Sequence, residues 1–328
     1  MTDRALANAA EERYPTLGLT RVTERAAVAA ARLRGRGDEM AADQAAVDAM
    51  RAELDLLHIR GRVVIGEGER GAAPLLFVGD EVGAGAGPEV DLAVAALEGS
   101  TLCARDMPGA ISVVALAPRG ALLSAPDVYM DKIAIGPGFP PGVVDLDRDP
   151  GENIAALAAA RGVTAQEVTV CILDRPRHAE LIAKCRKAGA RVRLISDGDV
   201  AGVIFTAEPH ETGVDMYLGR GGASEGVLAA GALRCVGGQM QGRLVLDTPE
   251  KIALAEKMGV ANPRRKYDIA ALASAETLVV ATGVTRGPLL AGVSFLHDMI
   301  ETESIVYHPA GGTVRRIRAQ RRASEFEN

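Results

Sequence analysis

The stretch TVCILDRPRHAELIAKCRKAGARVRLI, residues 169–195, decides the fold. Thr169 to Leu173 is a short apolar, β-branched run, and Arg191 to Ile195 is a second one. Between them His178 to Ala188 has the period of a helix, closed by Gly189. Strand, helix and strand in so short a span are the repeating unit of an α/β sheet.

The same rhythm extends on both sides of this unit. A helix is expected near 153–161, a strand at Val214 to Leu218 that runs into GRGGASEG (219–226) and another helix, and a strand at Thr277 to Ala281. The end, SIVYHPAGGTVRRIR (304–318), reads as a hairpin turning at Gly311 and Gly312. Upstream the pattern differs. Arg62 to Ile65, Leu75 to Val78, Asp91 to Ala95 and Ile111 to Leu116 are short β-rich runs with no room for helices between most of them, which predicts an antiparallel or mixed sheet. Val47, Met50, Leu54 and Leu57 form one apolar stripe on a helix expected to start near Asp43. The reading is a layered α/β protein with two sheets, an N-terminal subdomain over 1–140 and a C-terminal one over 141–328. The boundary is set in the Pro/Gly-rich IGPGFPPGVVDLDRDPG (135–151).

Composition narrows the function. With 328 residues and 48% hydrophobic content the chain can bury a sizeable core. A net charge of −6 with dispersed Lys and Arg attracts neither nucleic acid nor an anionic membrane surface, and no apolar run approaches the ~20 residues of a membrane span. Arg315, Arg316, Arg318, Arg321 and Arg322 near the end could suggest nucleic-acid binding, but a hairpin edge of arginines is more often solvated or an oligomer contact. Cys103, Cys171, Cys185 and Cys235 stand far apart, which suits free thiols in the cytoplasm.

The carboxylates at element ends carry the chemistry. Ile65-Gly66-Glu67-Gly68-Glu69 leaves a strand with two acids between glycines, Glu98-Gly99-Ser100 follows another strand, and Glu225 opens a helix after a glycine turn. Singly, each is more often a solvated turn or a helix-end acid, as Asp43 alone is more often a cap. Together Asp43, Glu67, Glu98 and Glu225 suggest a site for Mg²⁺ or Mn²⁺. Gly219-Arg220-Gly221-Gly222 before a helix offers backbone N–H groups to a phosphate, and Arg175-Pro176-Arg177 offers guanidiniums. Metal carboxylates with phosphate donors point to phosphoryl chemistry.

GRGD (35–38), AAVDAMR (45–51), VIGEGE (64–69), EGS (98–100), APDVYMDK (125–132), RPRH (175–178), SDGDVAG (196–202), GGASEGV (221–227) and ATGVTRGPLL (281–290) stand in the order of a known family's landmarks. The chain resembles the class II (GlpX-type) fructose-1,6-bisphosphatases, and TVCILDRPRHAELI is similar to actinobacterial members. The resemblance implies the lithium-sensitive phosphatase fold, layered α/β/α/β/α, and removal of the 1-phosphate of fructose 1,6-bisphosphate, in some members also of sedoheptulose 1,7-bisphosphate. It implies metal ligation by Asp43, Glu67, Glu98 and Glu225, with Glu98 and Ser100 as catalytic residues and Ser100 where the family has a Thr hydroxyl near the attacking water. Gly99, Tyr129, Arg175, Arg177, Asp197, Asp199 and Gly222 would contact the phosphosugar. A homo-oligomer, commonly a tetramer, is also implied.

Four positions depart from the family's pattern. Ala95 replaces a bridging aspartate, Gly71 an aspartate thought to activate water, Glu39 a lysine, and Arg220 an apolar residue. Asp91 cannot substitute for the first, lying roughly 13 Å back along a strand at about 3.3 Å per residue. Arg220, facing the site, would supply positive charge to a phosphate. The alternative to an active sugar bisphosphatase is a catalytically impaired paralogue that binds a phosphosugar or regulates.

Overall fold

The computed structural model of the chain describes residues 15–67, 76–258, 260, 262 and 264–326. The chain forms two compact units, one from its segments up to Leu122 and from Ala275 onward, the other from Leu123–Ser274. The expected boundary at 140–150 thus falls inside the second unit. That Pro/Gly-rich stretch is no linker, because side chains hold it: the Leu146 N–H donates to Gln241 Oε1 at 2.8 Å and Lys266 pairs with Asp145 at 2.8 Å.

The first unit opens with α1 (Thr16–Ala31) and α2 (Glu39–Leu54). Asp38 caps α2, accepting from the Ala41 N–H at 2.9 Å, so the helix starts before Asp43, which sits in its second turn. The apolar stripe misled because its first members, Ala42 and Ala46, are too small to register as periodic, though both are buried. Leu57 lies beyond the helix end. Next come β1 (Arg60–Ile65), β2 (Glu81–Val82), β3 (Glu89–Glu98), the short α3 (Ser100–Ala104) and β4 (Ile111–Pro118). Residues 76–78 of the strand expected at 75–78 form none, and Leu75 lies outside the described residues. Leu76 is a buried anchor whose carbonyl accepts from the Glu67 N–H at 2.9 Å.

The second unit contains β5 (Tyr129–Ile135), α4 (Pro150–Arg161), β6 (Thr169–Leu173), α5 (Ala179–Lys187), β7 (Arg191–Ile195), α6 (Asp199–Ile204), β8 (Met216–Gly222), α7 (Ala223–Val236), β9 (Gln239–Leu244) and β10 (Tyr267–Asp268). Its six-stranded sheet runs β10-β9-β5-β8-β6-β7, with β6 parallel to both β7 and β8. Alternation along β8 sorts the layers. Met216 and Leu218 pack with Ile154 and Leu157 of α4 and Ile182 of α5, while the Tyr217 ring lies against Gly202 of α6.

The chain then returns to the first unit as β11 (Leu278–Gly283), β12 (Ser294–Leu296), β13 (Met299–His308) and β14 (Thr313–Arg322). That sheet has eight strands in the order β12-β13-β11-β4-β3-β1-β2, with β14 paired to β13 through the Gly311–Gly312 turn. All of β3 except its first residue is buried, the signature of a strand covered on both faces. Leu19, Val22, Met50 and Leu54 of the two N-terminal helices pack with Leu92, Leu116, Val280 and Val306 of this sheet. The architecture is mixed α/β with two sheets, as the sequence implies.

Met50→Ala, which opens a cavity at a fully buried site, is expected to cost about 2–5 kcal/mol in urea denaturation. Asp38→Ala should cost about 1 kcal/mol, and no measurable loss there would move the helix start away from Glu39.

Candidate active site

β1 and β3 run parallel, so the chain leaves both at the same edge of the sheet. Glu67 lies just past β1 and Glu98 is the last residue of β3. The structure brings these two acids to one place: Glu67 Oε1 accepts from the Ala96 N–H at 3.0 Å, two residues from Glu98. Gly99 turns the chain with φ 85°, a left-handed conformation that favours glycine, and Ser100 opens α3 immediately after it. Glu39 accepts from the Thr101 hydroxyl at 3.0 Å, which docks the start of α2 on α3. Asp43 follows Glu39 by one turn on the same helix face. Burial raises the Asp43 carboxyl above its usual range.

Ala95 presents only a methyl group on β3. Asp91 is committed elsewhere, buried at the other end of that strand, 3.5 Å from Arg119 Nε and accepting from the Gly120 N–H. Glu69 and Gly71 lie outside the described residues. Among the described residues no three His, Cys, Asp or Glu side chains gather to hold a metal ion. The donors at the β1/β3 edge still fit a hard divalent cation, since Mg²⁺ is commonly held by one or two carboxylates with water and phosphate oxygens completing its shell.

In the second unit Arg175, Arg177, Asp197, Tyr129 and Gly222, expected to contact a phosphosugar, lie toward the C-terminal edge of the parallel strands, the usual ligand side of such sheets. Arg175 follows β6, donates to the Ser196 carbonyl and stands 3.8 Å from Asp197 Oδ1. Arg177 lies over the Tyr129 ring at 4.7 Å and donates to the Arg220 carbonyl at 2.9 Å. Tyr129 is directly opposite Gly222 in the β5/β8 register. Both guanidiniums are thus held by backbone carbonyls, and that of Arg177 lies over an exposed aromatic ring.

Asp199 does not join that rim. It is buried, and its carboxylate accepts from the Lys132 ammonium and the Tyr217 hydroxyl. Lys132, 0% exposed, also donates to the Gly222 carbonyl at 2.7 Å. The Glu225 carboxylate lies against Gly222, where a Cβ would overlap it, and a Cβ on Gly221 would overlap Asp199. Burial raises Glu225 above the usual carboxylate range, opposed by the nearby Lys132 ammonium. Lys132 and Tyr217 were missed in the sequence, where the signal was a lysine inside the strand YMDKIAI.

Arg220 departs from its expected orientation. Its guanidinium forms a fork with Asp131, Nε–Oδ1 2.7 Å and Nη2–Oδ2 3.0 Å, on the sheet face that Leu218 shares. Asp131 and Arg220 are register partners on neighbouring strands, so complementary charge fixes the side chain there. His178 holds the same strand: its Nδ1 lies 2.7 Å from the Leu173 carbonyl and its Nε2 accepts from the Arg220 N–H at 2.9 Å. These partners require the neutral ring with the proton on Nδ1, and burial lowers its pKa accordingly.

A sequence model described as bacterial fructose-1,6-bisphosphatase, glpX-encoded, matches residues 13–321. Relatives from Crocosphaera subtropica and Synechocystis sp., each named D-fructose 1,6-bisphosphatase class 2/sedoheptulose 1,7-bisphosphatase, are 42% identical over 92% of this chain and 94% of their own length. A relative of the same name from Synechococcus elongatus matches equally well.

Two stability measurements test this geometry. Because the folded state holds His178 neutral and the unfolded chain titrates near pH 6.5, His178 should cost stability as pH falls below about 6.5, and nothing above it. Denaturation at pH 7.5 and 5.5 should show a smaller acid-side loss for His178→Gln than for wild type, and parallel losses would refute the neutral ring. Lys132→Met strands the buried Asp199 carboxylate and should cost about 3–5 kcal/mol at neutral pH.

Proposed function

The chain belongs to the bacterial, glpX-encoded fructose-1,6-bisphosphatase family, and we propose that it hydrolyses the 1-phosphate of fructose 1,6-bisphosphate or a related sugar bisphosphate. It is a phosphoric monoester hydrolase of the sugar bisphosphatase class. The observation that carries the substrate assignment is the pair Arg175 and Arg177, each anchored on a backbone carbonyl, with Arg177 over the Tyr129 ring. Guanidiniums already positioned by carbonyls bind phosphate with little further ordering, and the tyrosine ring packs against the sugar's carbon skeleton.

Each residue has a distinct task in this reading. Arg175, Arg177 and the Gly222 backbone hold the phosphate that is not transferred, with Asp197 orienting Arg175 and accepting from sugar hydroxyls. Asp199 works from beneath, since with Lys132 it fixes the Gly221–Gly222 backbone on which the ligand rests. Ser100, carried on the turn at Gly99, orients the attacking water, and Glu98 with Glu67 supplies the negative field for a divalent cation. When bound, Mg²⁺ or Mn²⁺ supplies Lewis-acid stabilisation of charge on the phosphoryl oxygens. Ala95 leaves that carboxylate set one member short of the family's pattern. This favours a second reading, a phosphosugar-binding paralogue with impaired turnover.

Among the described residues no helix is long and apolar enough to cross a membrane. Four buried free thiols, with Cys171 pushed up to about 12 by burial, support a reducing, cytoplasmic setting. The exposed Phe295 and Leu296 on β12 support assembly into a homo-oligomer, a tetramer in the family's usual form.

Phosphate release from fructose 1,6-bisphosphate is expected with Mg²⁺ or Mn²⁺ and should vanish on chelation. Ser100→Ala should lower kcat about 10²-fold, whereas Arg177→Ala should act mainly on KM, raising it about 10–100-fold for one lost charged hydrogen bond. A wild type that binds sugar phosphates without turnover, and gains activity in Ala95→Asp with Gly71→Asp, would establish the second reading instead.

A further inference from the structure

β6 pairs with β8 only as far as Cys171 opposite Tyr217, and its last residues, Ile172 and Leu173, pair with β7 alone. Past that point no strand among the described residues lies along this edge of β8, and the loop that follows β6 fills the gap with side chains. His178 Nε2 accepts from the Arg220 N–H at 2.9 Å, while Arg177 donates to the Arg220 carbonyl from Nη2 at 2.9 Å and from Nε at 3.3 Å. One residue of β8 thus meets both an acceptor and a donor, the two groups that a neighbouring strand would offer it. We propose that His178 is a positioning residue for the phosphosugar site: its neutral ring fixes the backbone of Arg220, which in turn holds the Arg177 guanidinium ready for phosphate. The proposal rests on the assignment of Arg177 to the phosphate that is not transferred.

The two side chains differ in the freedom they would have alone. Arg177 is exposed, and a guanidinium on a long stem samples many rotamers unless something holds it. His178 is buried and its ring is held at both nitrogens, since Nδ1 stands 2.7 Å from the Leu173 carbonyl at the end of β6. Gly219 lets β8 close on that ring, where a Cβ would lie 3.4 Å from Nε2. The His178 N–H donates to the Arg175 carbonyl at 2.8 Å, so the loop that carries both arginines is also closed on itself. Order therefore passes from a ring packed between two strand ends to Arg220, and from its carbonyl to Arg177. A guanidinium has five N–H groups and two are spent on that carbonyl, which leaves donors for a phosphate. The Tyr129 ring, 4.7 Å away, backs the same planar group. A donor ordered before the ligand arrives spares binding the cost of ordering it.

The test is a double-mutant cycle on the full chain, read by calorimetry with fructose 6-phosphate in the presence of a chelator, where no turnover occurs. Arg177→Ala should weaken binding about 10–100-fold for its lost charged hydrogen bond. His178→Asn, whose amide still reaches the Leu173 carbonyl but stops short of Arg220, should weaken it about 3–10-fold, the cost of ordering one long side chain, and should do nothing further in the Arg177→Ala background. His178→Gln, which brings an amide oxygen to the place of Nε2, should recover most of that loss. An equal loss from His178→Asn with and without Arg177, or a glutamine variant as weak as the asparagine one at the same melting temperature, overturns the proposal, because the effect then does not pass through Arg177. Should His178→Asn fail to fold, the ligand-free wild type decides: nitrogen relaxation of the Arg177 Nε–H should be that of an ordered side chain, and a mobile guanidinium overturns the proposal. Arg177→Ala binding as tightly as wild type removes the phosphate assignment and the proposal with it. A loss in Arg177→Ala without one in His178→Asn removes the positioning role alone and leaves the bisphosphatase reading standing.

Discussion

A lysine side chain sealed from water inside the second unit sets the terms for what surrounds it. An unpaired ammonium in that position would cost several kcal/mol, so the fold must bring a carboxylate and a carbonyl to it. Lys132 therefore fixes α6 through Asp199, the end of β8 through the Gly222 carbonyl, and indirectly the Glu225 carboxylate that lies against Gly222. Glycine at 221 and 222 is the steric counterpart of this arrangement, because any side chain there would occupy the space of the two carboxylates. The strand edge proposed to hold a phosphosugar is thus built on a buried charge network.

The first unit achieves its local order differently. Its acids lie at the ends of parallel strands, where Glu67 accepts from the backbone N–H of Ala96. The carboxylates of Glu67 and Glu98 thus lie at one end of the sheet, a donor type that suits a cation preferring oxygen. Asp91 shows the contrast. It is more deeply buried and has Arg119 close by and a backbone donor, so its role is to close the far end of the strand.

Much of this was legible in the sequence where geometry follows from local chemistry. The strand–helix–strand unit over 169–195 and the hairpin at Gly311 and Gly312 depend on periodicity and turn residues, and the structure has them where the sequence puts them. The strand expected at 75–78 failed because a short apolar run can anchor a loop as well as pair in a sheet, as Leu76 does. The start of α2 was misplaced because alanines carry little periodic signal. At the candidate site, Arg175 and Arg177 stand out by their position in a loop after a strand and Tyr129 only through the family resemblance, but the separation of Asp197 from Asp199 was not readable. Two aspartates two residues apart look equivalent in sequence, and only the lysine on a distant strand draws one of them inward. Arg220 was likewise judged without its partner, Asp131, which lies far away in the chain and directly across the sheet.

The eight-stranded sheet is assembled from both ends of the chain, with β11 inserted between β4 and β13. During synthesis its helices and first strands leave the ribosome early, and β4 pairs with β3, yet β4 has no second neighbour until β11 has emerged. The intervening residues 123–274, whose strands pair among themselves, can mature first. The apolar flank of β4 must meanwhile wait uncovered, which makes the nascent chain's early half the natural client of a chaperone and gives the last sixth of the molecule control over when the enzyme becomes complete.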